Sequence, residues 1–175
     1  IFLPEGVATI GDEAFKYCHS LISVTIPNTV VSIGEHAFYD CNYLDSVSIG
    51  KSVIAIGKEA FSGCTGELVI NCNIQSARWL SEAPFYGNRF TSITFGESVD
   101  IIGDHAFYGC SLLERVTISD SVTTIGSYAF YGCKNLSDIV IPKNVTSIGS
   151  GAIPSSTKIY CYENSIARDY AVNNS

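Results

Sequence analysis

The chain has 175 residues and a mass of 18.8 kDa, which fits one domain. Hydrophobic residues make up 46% and charged residues 15%, which excludes a disordered chain and supplies a large core. No apolar run approaches the roughly 20 residues that span a bilayer, and 10 Lys+Arg against 17 Asp+Glu, a net charge of −7, exclude a basic nucleic-acid-binding surface. The chain contains no Met, and Ile1-Phe2-Leu3-Pro4 reads as the end of a strand rather than as a signal peptide. We therefore expect an N-terminally truncated piece of something longer.

A repeat of about 23 residues organises the chain. Ile10-Gly11-Asp12-Glu13-Ala14-Phe15-Lys16-Tyr17-Cys18 recurs from Ile33 to Cys41, Ile56 to Cys64, Ile102 to Cys110 and Ile125 to Cys133. A degenerate copy, Leu80 to Asn88, fills the double step, and a partial copy starts at Ile148-Gly149 and keeps Ala152 with Ile153 in place of Phe. Seven repeats are thus expected over residues 1–154, with a closing strand and helix over 155–175.

Each copy continues into a second half such as Leu21-Ile22-Ser23-Val24-Thr25-Ile26-Pro27, where alternation with period two predicts a strand with Val24 and Ile26 inward. Pro27 ends the ladder because it has no N–H to donate. Val30-Val31-Ser32-Ile33 follows as a second extended piece, Gly34 permits a turn, and Glu35 to Phe38 is expected as a short helical turn. One repeat cannot bury its apolar residues, but stacked repeats can, in columns. The expected columns include Val24/Val47/Val116/Ile139, Ile26/Ile49/Ile70/Phe95/Ile118/Ile141 and Phe15/Phe38/Phe61/Phe85/Phe107/Phe130.

The pattern L-x-x-V-x-I-P…V-x-x-I-G-x-x-A-F-x-x-C resembles the BspA-like, or treponemal-type, leucine-rich repeat from about Leu3 to the C-terminus. The resemblance implies a leucine-rich-repeat solenoid, a right-handed horseshoe of mostly parallel β-strands with short helical turns. It also implies a class of secreted or cell-surface binding proteins, often of host-associated microbes, with no catalytic residues.

Departures from the repeat carry separate readings. The third strand follows Cys64 two residues early, and the fourth repeat has about three extra residues near Ile74-Gln75-Ser76-Ala77-Arg78-Trp79, with Ser81, Pro84 and Asn88 at repeat positions held elsewhere by Gly, Ala and Cys. This is either a tolerated insertion or a loop carrying a binding hot spot, for which Arg78, Trp79 and Arg89 are the candidates. At the other end, Thr157-Lys158-Ile159-Tyr160-Cys161 reads as a last strand, and Ser165 as the cap of a helix over Ile166 to Val172 that covers the final rung.

Five of the seven cysteines, Cys18, Cys41, Cys64, Cys110 and Cys133, share one repeat position, a spacing that matches no zinc motif and suits small buried thiols. No metal site, cofactor or catalytic group is expected: His36 and His105 lie three rungs apart, and no nucleophile elbow or phosphate loop is present. Acidic residues after Ile-Gly, such as Asp12-Glu13, Glu35, Glu59, Glu82 and Asp104, are read either as compensating the ends of helical turns or as a stripe attracting basic partners. Tyr39, Tyr86, Tyr108 and Tyr131 follow the core Phe, as an exposed aromatic stripe or as packing over the turn. The outward, concave strand face should display Ser23, Thr25, Ser46, Ser48, Glu67, Ser92, Thr94, Arg115, Thr117 and Asp138. The expected role is a non-enzymatic, secreted or cell-surface module of adhesion type that binds protein, such as a host extracellular protein, or glycan. The alternative is a structural spacer in a larger surface protein.

Overall fold

Two parallel strands and one tight turn per repeat wrap an apolar centre, and successive repeats stack as rungs. A computed structural model describes residues 1–77, 82–86 and 88–174. The main sheet joins β2 (Ser23–Ile26), β4 (Ser46–Ile49), β6 (Thr65–Ile70), β7 (Arg89–Phe95) and β9 (Arg115–Thr117), all parallel, and a parallel pair of β11 (Asp138–Val140) and β13 (Lys158–Tyr160) continues the stack. Val24 pairs with Val47, Val47 with Leu68, Leu68 with Ile93 and Ile93 with Val116, so like residues meet rung by rung. The second strand of each repeat is shorter. β1 (Thr9–Ile10), β3 (Ser32–Ile33) and β5 (Ala55–Ile56) form one sheet, and β8 (Ile101–Ile102), β10 (Thr124–Ile125) and β12 (Ser147–Ile148) form another. The irregular fourth repeat separates the two, and joins the rung of β8 through an Ile74–Ile102 bridge and through hydrogen bonds from Ala77 N to Asp104 O and from Ile101 N to Asn73 Oδ1.

The phenylalanine column exists as expected. Ring centroids from Phe15 through Phe38, Phe61, Phe85 and Phe107 to Phe130 are successively 5.0, 5.1, 5.5, 4.9 and 5.7 Å apart, with planes 6–19° from parallel. The spacing is set by the backbone, because parallel rungs lie about 4.8 Å apart. Phe95, which takes an isoleucine position, meets Phe107 and Phe130 edge-on at 5.7 and 6.4 Å. All but Phe15, which is half-buried at the first rung, are fully buried.

In five rungs the turn carrying the phenylalanine is not the helical turn expected from the sequence. Glu13, His36, Glu59, His105 and Tyr128 sit at φ of +49 to +57°, and Tyr17, Asp40, Gly63, Gly109 and Gly132 at +58 to +82°, so two left-handed residues bracket Ala-Phe in each of these five. For a residue with a Cβ this costs about 1–2 kcal/mol. The conformation turns the backbone N–H groups toward the next rung: Glu13 donates to Glu35 O at 2.9 Å, Phe15 to Ala37 O at 2.7 Å and Tyr17 to Tyr39 O at 2.9 Å, and His105, Phe107 and Gly109 do likewise to the following rung. The turns are therefore a third inter-rung ladder. Gly57 is required here, because a Cβ would lie 2.5 Å from Glu35 N. Since these five turns are not helical, their acidic residues do not compensate helix ends. Instead Asp12 Oδ1 accepts from Glu35 N at 2.9 Å and Asp104 Oδ1 from Ser127 N at 2.6 Å, binding one rung to the next.

The odd repeats keep the stack by substitution. The early strand after Cys64 extends β6 backward, so Thr65 pairs with Arg89 and Gly66 with Phe90, with a register irregularity at Gly66/Glu67. A Cβ on Gly66 would collide with Asp45 O, and its φ is +75°. Phe90, unremarked in the repeat pattern, is fully buried where Leu44, Leu113 and Leu136 stand in other rungs. Asn88 replaces the cysteine, and its buried amide donates to Phe85 O and accepts from Phe90 N. At the far end α1 (Ile166–Asn173) starts at Ser165, whose Oγ accepts from Arg168 N, and buries Ala167 and Tyr170. The Tyr170 hydroxyl accepts from Ile153 N at 3.1 Å.

Truncating Phe107 to Ala removes a ring that touches Phe85, Phe95 and Phe130. Urea unfolding should show a loss of about 3–5 kcal/mol, and Phe15→Ala, at the half-buried end of the file, a clearly smaller one.

Candidate functional site

Alternation fixes what the main sheet shows to solvent. One outward file runs Ser23, Ser46, Glu67, Ser92 and Arg115, and continues with the paired Asp138 and Lys158; the next runs Thr25, Ser48, Val69, Thr94 and Thr117, then Val140 and Tyr160. Ser23, Thr25, Ser46, Glu67, Arg115, Thr117 and Asp138 are exposed, while Ser48, Ser92 and Thr94 are half-buried. The two ends differ in chemistry. The first rungs offer only hydroxyls. The last three offer Arg115, Asp138 and Lys158 with the apolar Val140 at 59% exposure and Tyr160 at 47%. Lys158 Nζ lies 4.6 Å from the Tyr160 ring centroid, and Tyr160 and Asp138 hold its ammonium pKa above the ordinary value.

Lys158, Val140 and Tyr160 were not among the residues expected from the sequence. The signal was present: the alternation that selects Arg115 and Thr117 also selects them. Reading the last strand as a cap removed it from the face.

The tyrosine file forms on the turns. Tyr86 and Tyr131 are exposed, while Tyr39 and Tyr108 are half-buried. Tyr108 stacks on Tyr131 at 5.1 Å, and Tyr128 meets Tyr131 edge-on at 5.6 Å and stacks with His105 at 5.4 Å. In the first rungs Tyr39 meets Tyr17 at 5.9 Å and His36 at 5.2 Å, both edge-on. Packing and exposure therefore coexist: the rings brace one another and still reach solvent. Of the irregular-loop candidates, Arg89 is exposed at the start of β7, and Arg78 and Trp79 lie outside the described residues.

All seven cysteines are free thiols. Those of the column close inter-rung bonds: Cys41 Sγ donates to Phe15 O at 3.0 Å, Cys64 to Phe38 O at 3.2 Å and Cys133 to Phe107 O at 3.4 Å. The neighbouring Cys41 and burial push the Cys64 thiol pKa up, burial does the same at Cys110, and burial pushes Cys72 up to about 11. Because five of the thiols are buried out of a reagent's reach, a thiol-specific reagent at pH 8 should modify only Cys18 and Cys161, the two that are not buried. Modification of all seven should require unfolding, as read by mass spectrometry; modification of Cys64 or Cys110 in the folded chain would contradict this packing.

A family model for the BspA type leucine rich repeat region matches residues 1–77 and 79–167 in six copies, one fewer than the seven expected from the sequence. Solved structures share the fold. A leucine-rich repeat protein of Bacteroides ovatus is 30% identical, with a TM-score of 0.63 over 93% of this chain and 45% of its own. A leucine rich cell surface protein of Faecalibacterium prausnitzii is 32% identical, with a TM-score of 0.60 over 91% of this chain and 46% of its own. A leucine-rich repeat protein of Eubacterium ventriosum, at 24% identity and a TM-score of 0.50 over 91% of this chain and 59% of its own, shows the fold alone. The chain spans less than half the length of the first two. No curated protein matches it. Among the described residues, no helix is long and apolar enough to cross a membrane.

Proposed function

The chain belongs to the BspA-type leucine-rich repeat family, and from that premise we propose that it is a non-enzymatic binding module, secreted or displayed at a cell surface, that engages a partner protein in adhesion or host contact. The description of the Faecalibacterium prausnitzii relative as a cell surface protein supports the location. The observation that carries the binding role is the asymmetry of the outward strand face along the stack. Arg115 stands on the last strand of the main sheet, and the parallel pair that follows it in the stack sets Asp138 beside Lys158 and Val140 beside Tyr160, all five exposed. Binding hot spots are enriched in Tyr and Arg and pair an apolar anchor with charged neighbours. A sheet fixed by three ladders presents them with little ordering cost on association. The Ser and Thr of the first rungs have the chemistry of a solvated sheet face.

The test is saturable binding of the purified chain to an immobilised panel of extracellular matrix and cell-surface proteins. Arg115→Ala and Tyr160→Ala should each weaken binding about tenfold, equivalent to about 1.4 kcal/mol, and Ser23→Ala should leave it unchanged. Equal binding by all three variants would remove the site from this end of the sheet. Failure to bind any protein of the panel would favour the spacer.

A further inference from the structure

The tyrosine-bearing turns form a surface that the sheet-face reading does not use. We propose that this arc is a second interaction surface, which takes a lysine- or arginine-bearing segment of a partner protein by joint ion pairing and cation–π contact.

Three observations meet there. The first is preorganised aromatic surface. Tyr17 is 55% exposed and braced edge-on by Tyr39, so the ring loses little freedom on binding. The second is charge. Between the glycine and the cysteine of each turn stand Asp12, Glu13, Glu35, Asp40, Glu59, Glu82 and Asp104 against only Lys16 and Lys58, so this arc holds five of the chain's seven net negative charges. The third is a cation already held in this way. Lys16 Nζ is 2.6 Å from Glu13 Oε1 and lies 5.4 and 5.8 Å from the centroids of Tyr17 and Tyr39, two rings set at 87° to each other.

A carboxylate beside perpendicular tyrosines is thus a cation-holding arrangement within this fold, and the bound cation is the chain's own. The next rung continues it, with His36 and Tyr39 edge-on at 5.2 Å and Glu59 Oε2 3.5 Å from His36 Nε2. Cations are attracted to the faces of aromatic rings by about 0.5–2 kcal/mol, and nearby carboxylates add to this. A neutral glycan fits less well. The carboxylates of the first rungs meet no charge on such a ligand.

Lys16 is then an internal competitor, which gives a test with a defined sign. Calorimetry of the full chain at low salt against an N-acetylated peptide of alternating lysine and glycine should show saturable binding. Lys16→Gln and Lys51→Gln remove the same charge, but Lys51 lies in the turn after β4 and away from these rings in sequence. Lys16→Gln should tighten binding at least threefold more than Lys51→Gln does. The double variant Tyr17→Ser/Tyr39→Ser should weaken binding at least fivefold, its folding checked by urea unfolding; if it does not fold, the two lysine variants still decide. Equal effects of Lys16→Gln and Lys51→Gln would overturn the proposal. So would equal binding of a glutamate–glycine peptide, or binding of neutral oligosaccharides in preference to the lysine peptide.

Discussion

Everything in this molecule follows from the contact between a side chain and its own counterpart one rung away. Parallel pairing sets the rung spacing, and a planar ring stacked at about 5 Å fits that spacing without distortion. The six phenylalanines of the file therefore act as one object running through the molecule. The turns are built to serve it. Two left-handed residues in each of five rungs turn backbone N–H groups toward the next rung, and the cysteine thiols hydrogen-bond to the phenylalanine carbonyls across the same gap. Conformational cost at Glu13, His36, His105 and Tyr128 is offset because the next rung accepts what the turn presents.

The same constraint makes the outer surface informative. Inside, repetition is enforced; outside, each rung is free to differ. Differences between rungs therefore fall on the outside. The sheet face changes from hydroxyls at Ser23 and Ser46 to charge and an aromatic ring at Arg115, Lys158 and Tyr160. The turn face changes from carboxylate-rich first rungs to the stacked rings of Tyr108, Tyr128 and Tyr131. A structure with so little conformational freedom presents both faces already ordered.

The columns were legible in the sequence because identical residues recur at a constant step, and the step alone implies that they touch. The inward and outward residues of each strand followed from alternation. The backbone of the turns was not legible. Glu13, Glu59 and Tyr128 occupy left-handed positions for which their side chains carry no preference, and the glycines at 63, 109 and 132 are the clearest sign of the second one. The role of Asp12 and Asp104 was missed for the same reason, since an acceptor for the next rung cannot be distinguished from a helix-end carboxylate without the turn. Phe90 escaped notice because it substitutes for leucine in a repeat that breaks the pattern elsewhere. Lys158 and Tyr160 were set aside because their strand also closes the stack.

Hydrogen exchange of individual backbone amides tests the stacking most directly. If the turns form a ladder of their own, the amides of Phe38, Phe107 and Phe130, which donate to Ala60, Ala129 and Ala152 O, exchange as slowly as those of Val47 and Ile93 in the main sheet. Rapid exchange of these three amides beside protected strand amides would mean that the phenylalanine file is not held from rung to rung, and would contradict the account.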